Sequence, residues 1–355
     1  MAKLFFLISG EYESLSFSEL IAILETEGHP HSITEKLDQT VRLESDLSCL
    51  PDIQRRSAYT RVCALELFTS DATDEAITQA AKAVDFNDAL EEGKSFAVRI
   101  RRVKEYSAKS DTMRLERKLG KHILESTVGK SVNLETPEKT FFGILTNHKL
   151  IFGLNLAEIQ PKPFVERRPR KKAFFHPSAM NAKLARCMVN LAHAKSGKTV
   201  LDPFCGTGTT LLEAALIGCE AIGIDVQRRM AEGTRRNLAQ FGLNSGIIVA
   251  DARKLPFTKI DAVVTDPPYG KSATTLKAST KTLVENILST TKTLLRKGQR
   301  ICIALPIMVN QQGQVEHMSK DLAGFVEGLG FKTTESHLVY VHRTLTREVM
   351  VYERT

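Results

Sequence analysis

The amino-acid sequence predicts an α/β fold whose C-terminal half is a mostly parallel sheet with helices on both faces. Three observations carry that expectation. From about residue 179, short and nearly continuous apolar runs alternate with helical periodicity, the pattern of strands buried on both sides. The first of those runs feeds a glycine-rich turn that opens a helix. Ahead of both, the stretch QPKPFVERRPRKKAFFHP carries four prolines and no hydrophobic periodicity, so it separates this half from an N-terminal region of different character. At 355 residues the chain has room for two or three domains. Its 42% hydrophobic and 25% charged residues exclude global disorder, and no apolar run reaches the length of a membrane span.

The elements follow in order. LFFLIS predicts a first strand, and Glu11 and Glu13 come too soon after it for a secretory leader. Phe17, Leu20, Ile21 and Leu24 recur at helical spacing, with Ser18 as the expected cap and Gly28 and Pro30 as the stop. A second strand and a second short helix complete residues 1–60, read as a small ferredoxin-like subdomain. Residues 72–92 read as a helix ending at Gly93. Phe96, Val98 and Ile100 alternate with Ala97, Arg99 and Arg101, so this strand has one apolar and one partly basic face. Leu115, Leu119 and Ile123 recur every four residues, which predicts an amphipathic helix. Short strands at 132–134, 140–145 and 149–154 complete a second unit over 61–155. Residues 156–175 are expected to be a basic linker, and 176–355 the third domain. In that domain the expected helices are NAKLARCMVNLAHA, TLLEAALIG, and segments near 228–241, 281–296 and 319–329. The expected strands are TVLD, EAIGID, GIIVA, IDAVVTD, RICIALP, SHLVYVH and REVMVYE, the last antiparallel.

The formal charge is +8, and it is concentrated. Residues 94–122 hold ten basic side chains against three acids: Lys94, Arg99, Arg101, Arg102, Lys104, Lys109, Arg114, Arg117, Lys118 and Lys121. Residues 161–172 add Lys162, Arg167, Arg168, Arg170, Lys171 and Lys172 against Glu166. Together these exceed the charge of the whole chain, so the remainder is acidic. Clustered Lys and Arg neutralise phosphates and hold nucleic acid without reading sequence. A solvated helix face is the competing reading, and charge alone does not choose between them. Six cysteines (Cys49, Cys63, Cys187, Cys205, Cys219 and Cys302) lie far apart without a CxxC pair, and nine histidines form no HExxH. We therefore expect a reducing compartment, the cytoplasm, and no metal site.

Two segments carry chemistry. The strand ending at Asp202 runs through Pro203 into Gly206-Thr207-Gly208, and Thr209 and Thr210 begin a helix. A dinucleotide fingerprint needs glycine where Leu211 stands. A P-loop fails too, because Gly197-Lys198-Thr199 has Ala192 in place of its first glycine and precedes a strand. The next strand ends at Asp225-Val226, where a carboxylate can accept from ribose hydroxyls. The third is followed by Asp251-Ala252. Acids after three successive strands suit a ligand with an amino acid end, a ribose and an adenine but no phosphate, as in S-adenosylmethionine. Against this, a lone Asp at a strand end is usually a helix cap. The second segment is Asp266-Pro267-Pro268-Tyr269. Its prolines have no N–H, so the turn offers acceptors only. Asp266, also at the edge of the cofactor site, and the Pro267 carbonyl can accept the two hydrogens of an exocyclic nucleobase amine. Tyr269 can stack on a flipped base.

With these motifs, residues from about 174 to the C-terminus resemble the class I Rossmann-like methyltransferases that modify exocyclic amines. DPFCGTGTTLLEAALIG with DPPYG is similar to the archaeal and eukaryotic tRNA guanine-N2 methyltransferases, which act on guanosine at position ten. SFAVRIRRV, RLERKLGKHI and VNLETPE resemble the core of that family's THUMP domain. The resemblance implies a THUMP RNA-binding domain over 61–155, S-adenosylmethionine as cofactor and tRNA as partner. It also implies a small zinc-binding activator protein on the methyltransferase domain. FFHPSAMNAKLAR resembles the family's FxxPGxM segment, which packs against the cofactor and so implies roles for His176 and Pro177; here Ser178 and Ala179 replace Gly and Ser. The RNA contacts implied are Arg99, Arg101, Arg102, Lys104, Arg114, Arg117, Lys118, Lys121, Arg167, Arg168, Arg170, Lys171 and Lys172. The rivals are a DNA adenine-N6 or cytosine-N4 methyltransferase and a catalytically inactive RNA-binding protein.

Overall fold

The computed structural model describes residues 1–90, 95–106, 111–269, 279–309, 315–342 and 345–355. Lys94 and Lys109 of the basic cluster, and the expected helix stop at Gly93, lie outside them. Contacts divide the chain into two units. The first comprises Met1–Leu20, Gly28–Gln54 and Tyr59–Gln160, and the second Ile21–Glu27, Arg55–Ala58 and Pro161–Thr355.

The N-terminal elements are β1 (Ala2–Ile8), α1 (Glu13–Glu27), β2 (His31–Leu37), β3 (Thr40–Ser45), α2 (Leu50–Arg56) and β4 (Thr60–Asp71). They continue with α3 (Asp74–Lys82), β5 (Ser95–Arg102), α4 (Thr112–Ser126), β6 (Ser131–Val132), β7 (Lys139–Thr146) and β8 (Lys149–Glu158). The strands form one eight-stranded mixed sheet, β2-β3-β1-β4-β8-β7-β5-β6. The boundary expected at residue 60 is therefore no break: β4 starts there and pairs with β1 on one edge and β8 on the other. Successive residues of β7 feed opposite faces of the sheet, as a period of two requires. Phe141 lies in the same core cluster as Phe68, Phe96, Leu119 and Phe152, whereas Phe142 lies in another with Phe5, Val62 and Ile151.

Four local expectations change. The helix expected over 72–92 is the shorter α3, which ends at Lys82 with Ala83 as its C-cap. Helix α1 starts at Glu13, so Ser18 lies inside it and is no cap; its buried face reaches back to Leu15. The expected second strand is a hairpin, β2–β3, and β2 is hard to read because its sequence, HSITEKL, is mostly polar and exposed. In β5, Phe96, Ala97 and Val98 are all buried, so the basic face is confined to Arg99 and Arg101 at its far end.

The second unit continues with α5 (Lys162–Glu166), α6 (Ala182–Leu191), β9 (Thr199–Asp202), α7 (Thr209–Leu216), β10 (Glu220–Asp225), α8 (Arg228–Gln240) and β11 (Gly246–Val249). Then come β12 (Ala262–Thr265), α9 (Thr280–Lys292), β13 (Arg300–Val309), β14 (Val315–His317), α10 (Met318–Gly328), β15 (Phe331–His342) and β16 (Leu345–Arg354). The main sheet order is β11-β10-β9-β12-β13-β16-β15. Strands β11 to β13 are parallel, and β16 is antiparallel to both its neighbours. The expected reversed C-terminal strand is thus present. After β9 the chain winds through β10 and β11 on one side, then crosses back to β12 on the other. That reversal places the crevice at the C-terminal ends of β9 and β12.

The linker expectation needs correction. β8 runs to Glu158, and a short helix follows with Phe164 buried. Arg167 and Lys172 are buried too. The prolines shape a packed connection in which two of the cations, Arg167 and Lys172, find internal partners.

Candidate active site and cofactor cradle

The loop after β9 is shaped by glycine. Gly206 and Gly208 have φ of +54° and +74°, conformations costly for residues with a side chain. A Cβ on Gly208 would also lie 2.5 Å from Thr234 Cγ2 on α8. That contact is fixed, because Thr234 Oγ1 donates to the Gly206 carbonyl at 2.7 Å. Asp225 accepts from the Gly206 N–H at 3.0 Å and from the Gln227 N–H at 2.8 Å. Burial raises its pKa. Its carboxylate thus ties the loop to β10 while keeping lone pairs for a ribose.

Helix α8 supplies a clamp that sequence reasoning missed. Asn237 accepts from the Phe174 N–H at 2.7 Å and donates to the Phe174 and Thr207 carbonyls, both at 2.9 Å. Gly233 leaves room for the Phe174 ring, whose nearest atom would lie 2.1 Å from a Cβ. One asparagine therefore fastens the FFHP segment to the glycine loop. Beyond it, His176 Nδ1 pairs with Ser178 Oγ at 2.7 Å, and Pro177 is exposed. A GxxxN pattern on a polar helix was the available signal.

Asp202 is buried instead of lining the crevice. It accepts from Thr265 Oγ1 at 2.7 Å and from the Phe204 N–H at 3.1 Å. It therefore joins the ends of β9 and β12, one residue before Asp266. Burial pushes its pKa up to about 7, against the pull of Thr265 and the Phe204 N–H. The folded state keeps a proton here, from pH about 4 to 7, that the unfolded chain has lost. Stability contributed by this group therefore falls as pH rises through that window, by up to about 1.4 kcal/mol per pH unit. Asp202→Asn should lack this slope. Its melting temperature relative to the parent should climb from pH 5 to pH 8, and a constant offset would show an ordinary aspartate.

Asp251 is held by its neighbour: Arg253 Nε lies 2.9 and 3.0 Å from its two oxygens, and these bonds keep its pKa below the usual range. Val226 is exposed, and Pro203, Thr207, Thr209, Thr210 and Ala252 are buried around the loop.

Asp266 follows β12 directly, with its side chain 17% exposed. Arg347 on β16 forks onto it, Nη2 to Oδ2 at 2.7 Å and Nε to Oδ1 at 3.3 Å. Burial raises the Asp266 pKa, and Arg347 opposes the rise. Pro267 is buried; the Pro268 carbonyl accepts from Thr280 Oγ1 at 3.1 Å. The Tyr269 hydroxyl is buried beside Asp266 and Arg347.

The basic residues divide. Arg101, Lys104, Arg114, Arg117 and Lys121 in the first unit are exposed, as are Arg168, Arg170 and Lys171 in the second. Arg99, Arg102 and Lys118 are half-buried, and Arg99 donates to the Leu134 carbonyl at 2.6 Å. Arg167 and Lys172 are not available to phosphates. Arg167 pairs with buried Glu213 at 2.7 Å, and Lys172 Nζ donates to Thr209 Oγ1 at 2.5 Å. Burial lowers the Lys172 pKa to about 8.

Known proteins place the chain. Residues 169–320 match the profile described as an RMKL-like methyltransferase domain, and residues 77–236 match one described as DNA methylase. The chain is 36% identical to the tRNA (guanine(10)-N2)-dimethyltransferase of Methanothermobacter thermautotrophicus, over 98% of both chains. It belongs to the tRNA (guanine(10)-N2)-dimethyltransferase family. The family member of Methanocaldococcus jannaschii is 31% identical over 98% of this chain and 99% of its own. The fold is also that of TrmN from Thermus thermophilus, at a TM-score of 0.52 and 22% identity over 99% of this chain and 100% of that one.

Proposed function

We propose that the chain transfers a methyl group from S-adenosylmethionine to the exocyclic N2 amine of guanosine 10 in tRNA. The placement of Asp266-Pro267-Pro268-Tyr269 carries this reading. The turn leaves β12 at the switch point, beside the glycine loop, in a chain whose full-length relatives are named for this reaction. The loop fits the cofactor: its side-chain-free glycines admit close approach, and Asp225 has acceptor capacity for ribose hydroxyls. S-adenosylmethionine supplies an electrophilic methyl on a sulfonium sulfur. Asp266 and the Pro267 carbonyl accept the two amine hydrogens, which draws the nitrogen lone pair out of the ring. As the N–C bond forms and the S–C bond breaks, the surplus proton leaves along the hydrogen bond to Asp266. Tyr269 stacks on the flipped base.

The first measurement is incubation with S-adenosylmethionine and a tRNA pool, then digestion and mass analysis of nucleosides. N2-methylguanosine and N2,N2-dimethylguanosine are expected, and a transcript with adenosine at position 10 should yield neither. The DNA methylase match favours one second reading, and methylated adenine or cytosine from a DNA substrate in the same assay would replace the guanine assignment with it.

Residues 61–155 are read as the THUMP portion that holds tRNA, through exposed Arg101, Arg114, Arg117 and Lys121. Arg101→Glu with Arg117→Glu should raise the KM for tRNA at least tenfold and flatten its salt dependence, with kcat nearly unchanged. An unchanged KM would remove this face from the interface. Among the described residues no helix is long and apolar enough to cross a membrane, and the reading places the enzyme with its tRNA in the cytoplasm. A zinc-binding activator enters only as an added component if the chain alone gives no product.

A further inference from the structure

The chemistry of an amine-binding turn explains neither why a cation from the far end of the chain grips it nor what that grip does. Asp266 and Arg347 are 81 residues apart. Strand β12 pairs with β13 and β13 with β16, so the sheet itself carries Arg347 to the crevice. Its side chain is only 7% exposed, and burying a guanidinium is costly without a paired anion. The fork touches both Asp266 oxygens, and the same guanidinium carbon lies 5.8 Å from the centre of the Tyr269 ring. One side chain thus contacts both ends of the turn that receives the base.

We propose that Arg347 is a positioning residue for methyl transfer: it holds the Asp266 carboxylate ionised and fixes its plane, leaving the outer lone pairs to the incoming guanine amine. The inference rests on the methyl-transfer reading above. A carboxylate has about four acceptor sites, and the fork uses one on each oxygen. Capacity for the amine therefore remains while Arg347 stays in place. The charge argument points the same way. Three charged or titratable groups face Asp266 among the described residues: Asp202 at the end of β9, Tyr269 in the turn and Arg347 on β16. Burial disfavours the charge on Asp266, and Arg347 is the cation that opposes burial. A protonated Asp266 would present a hydrogen to the amine where an acceptor is needed.

The test is the pH profile of kcat at saturating S-adenosylmethionine and tRNA, for the parent, Arg347→Gln and Arg347→Lys. Removing the cation raises the Asp266 pKa, so the acid limb of the Gln variant should move up by about one to three pH units. Its rate at pH 7 should fall at least tenfold and partly recover by pH 9, with the KM for tRNA little changed. A uniform loss at every pH, or an unmoved limb, would assign Arg347 to the scaffold and overturn the inference. If the Gln variant does not fold, Arg347→Lys carries the test. Lysine keeps the charge but cannot fork both oxygens. Its limb should stay in place while kcat falls several-fold, and a shifted limb or an unchanged kcat overturns the inference. Failure of the parent to form N2-methylguanosine would instead refute the reaction assigned to the chain.

Discussion

Asp266→Ala should lower kcat by about a thousandfold, on the scale of removing one preorganised electrostatic contact from a transition state. The amine of guanine is a poor nucleophile, and the Pro267 carbonyl alone cannot draw both its hydrogens out of the ring plane. Because Asp266 follows β12 and the cradle is built on β9, β10 and α8, binding should survive. The Kd values for S-adenosylmethionine and tRNA should change by no more than about threefold, a difference of under ~1 kcal/mol. The variant leaves Arg347 unpaired with its side chain almost buried, so some stability is lost as well. Melting temperature must therefore be followed beside turnover. Combining the change with Arg347→Met removes the stranded charge and should recover the melting temperature without recovering kcat. Normal turnover by the single variant would sink the mechanism, and a loss of turnover that tracks melting temperature would make Asp266 a structural residue.

What the sequence disclosed depended on how local the cause was. The parallel strands of the second unit were legible because each is a short apolar run whose register is set by burial on both faces. The glycine loop and the DPPY turn were legible because backbone geometry there depends on residues within a few positions. The hairpin β2–β3 was not, since an exposed edge strand carries no apolar alternation. The joined N-terminal sheet was not, since pairing of β4 with both β1 and β8 is a long-range fact. Asp202 was read as a crevice acid, but its partner Thr265 lies 63 residues on, in a motif that sequence reasoning treated separately. Arg347 escaped notice altogether: in LTREVMVY it looks like any strand arginine, and only the sheet order brings it to Asp266.

The basic stretch before the second unit is the sharpest case, and it yields the second large effect. Arg167 and Lys172 look in sequence like contacts for a phosphate backbone. In the structure Arg167 and Arg186 both pair with Glu213, at 2.7 and 2.9 Å, and Glu213 is fully buried on α7. Lys172 is buried close by, and the Glu213 charge favours its protonated form. Glu213→Gln should therefore strand two buried guanidinium groups and cost about 3–5 kcal/mol. For a unit of this size that is a drop of roughly 6–20 °C in melting temperature. The same loss should push the Lys172 pKa down further, because one of the influences holding it up is gone. Replacing Glu213, Arg167 and Arg186 together with apolar residues of similar volume should restore most of the stability, since the penalty belongs to the uncompensated charge and not to the missing pair. The two readings of Arg167 then separate cleanly. Arg167→Met should lower the melting temperature and leave the KM for tRNA alone, whereas a phosphate contact would show the opposite pattern.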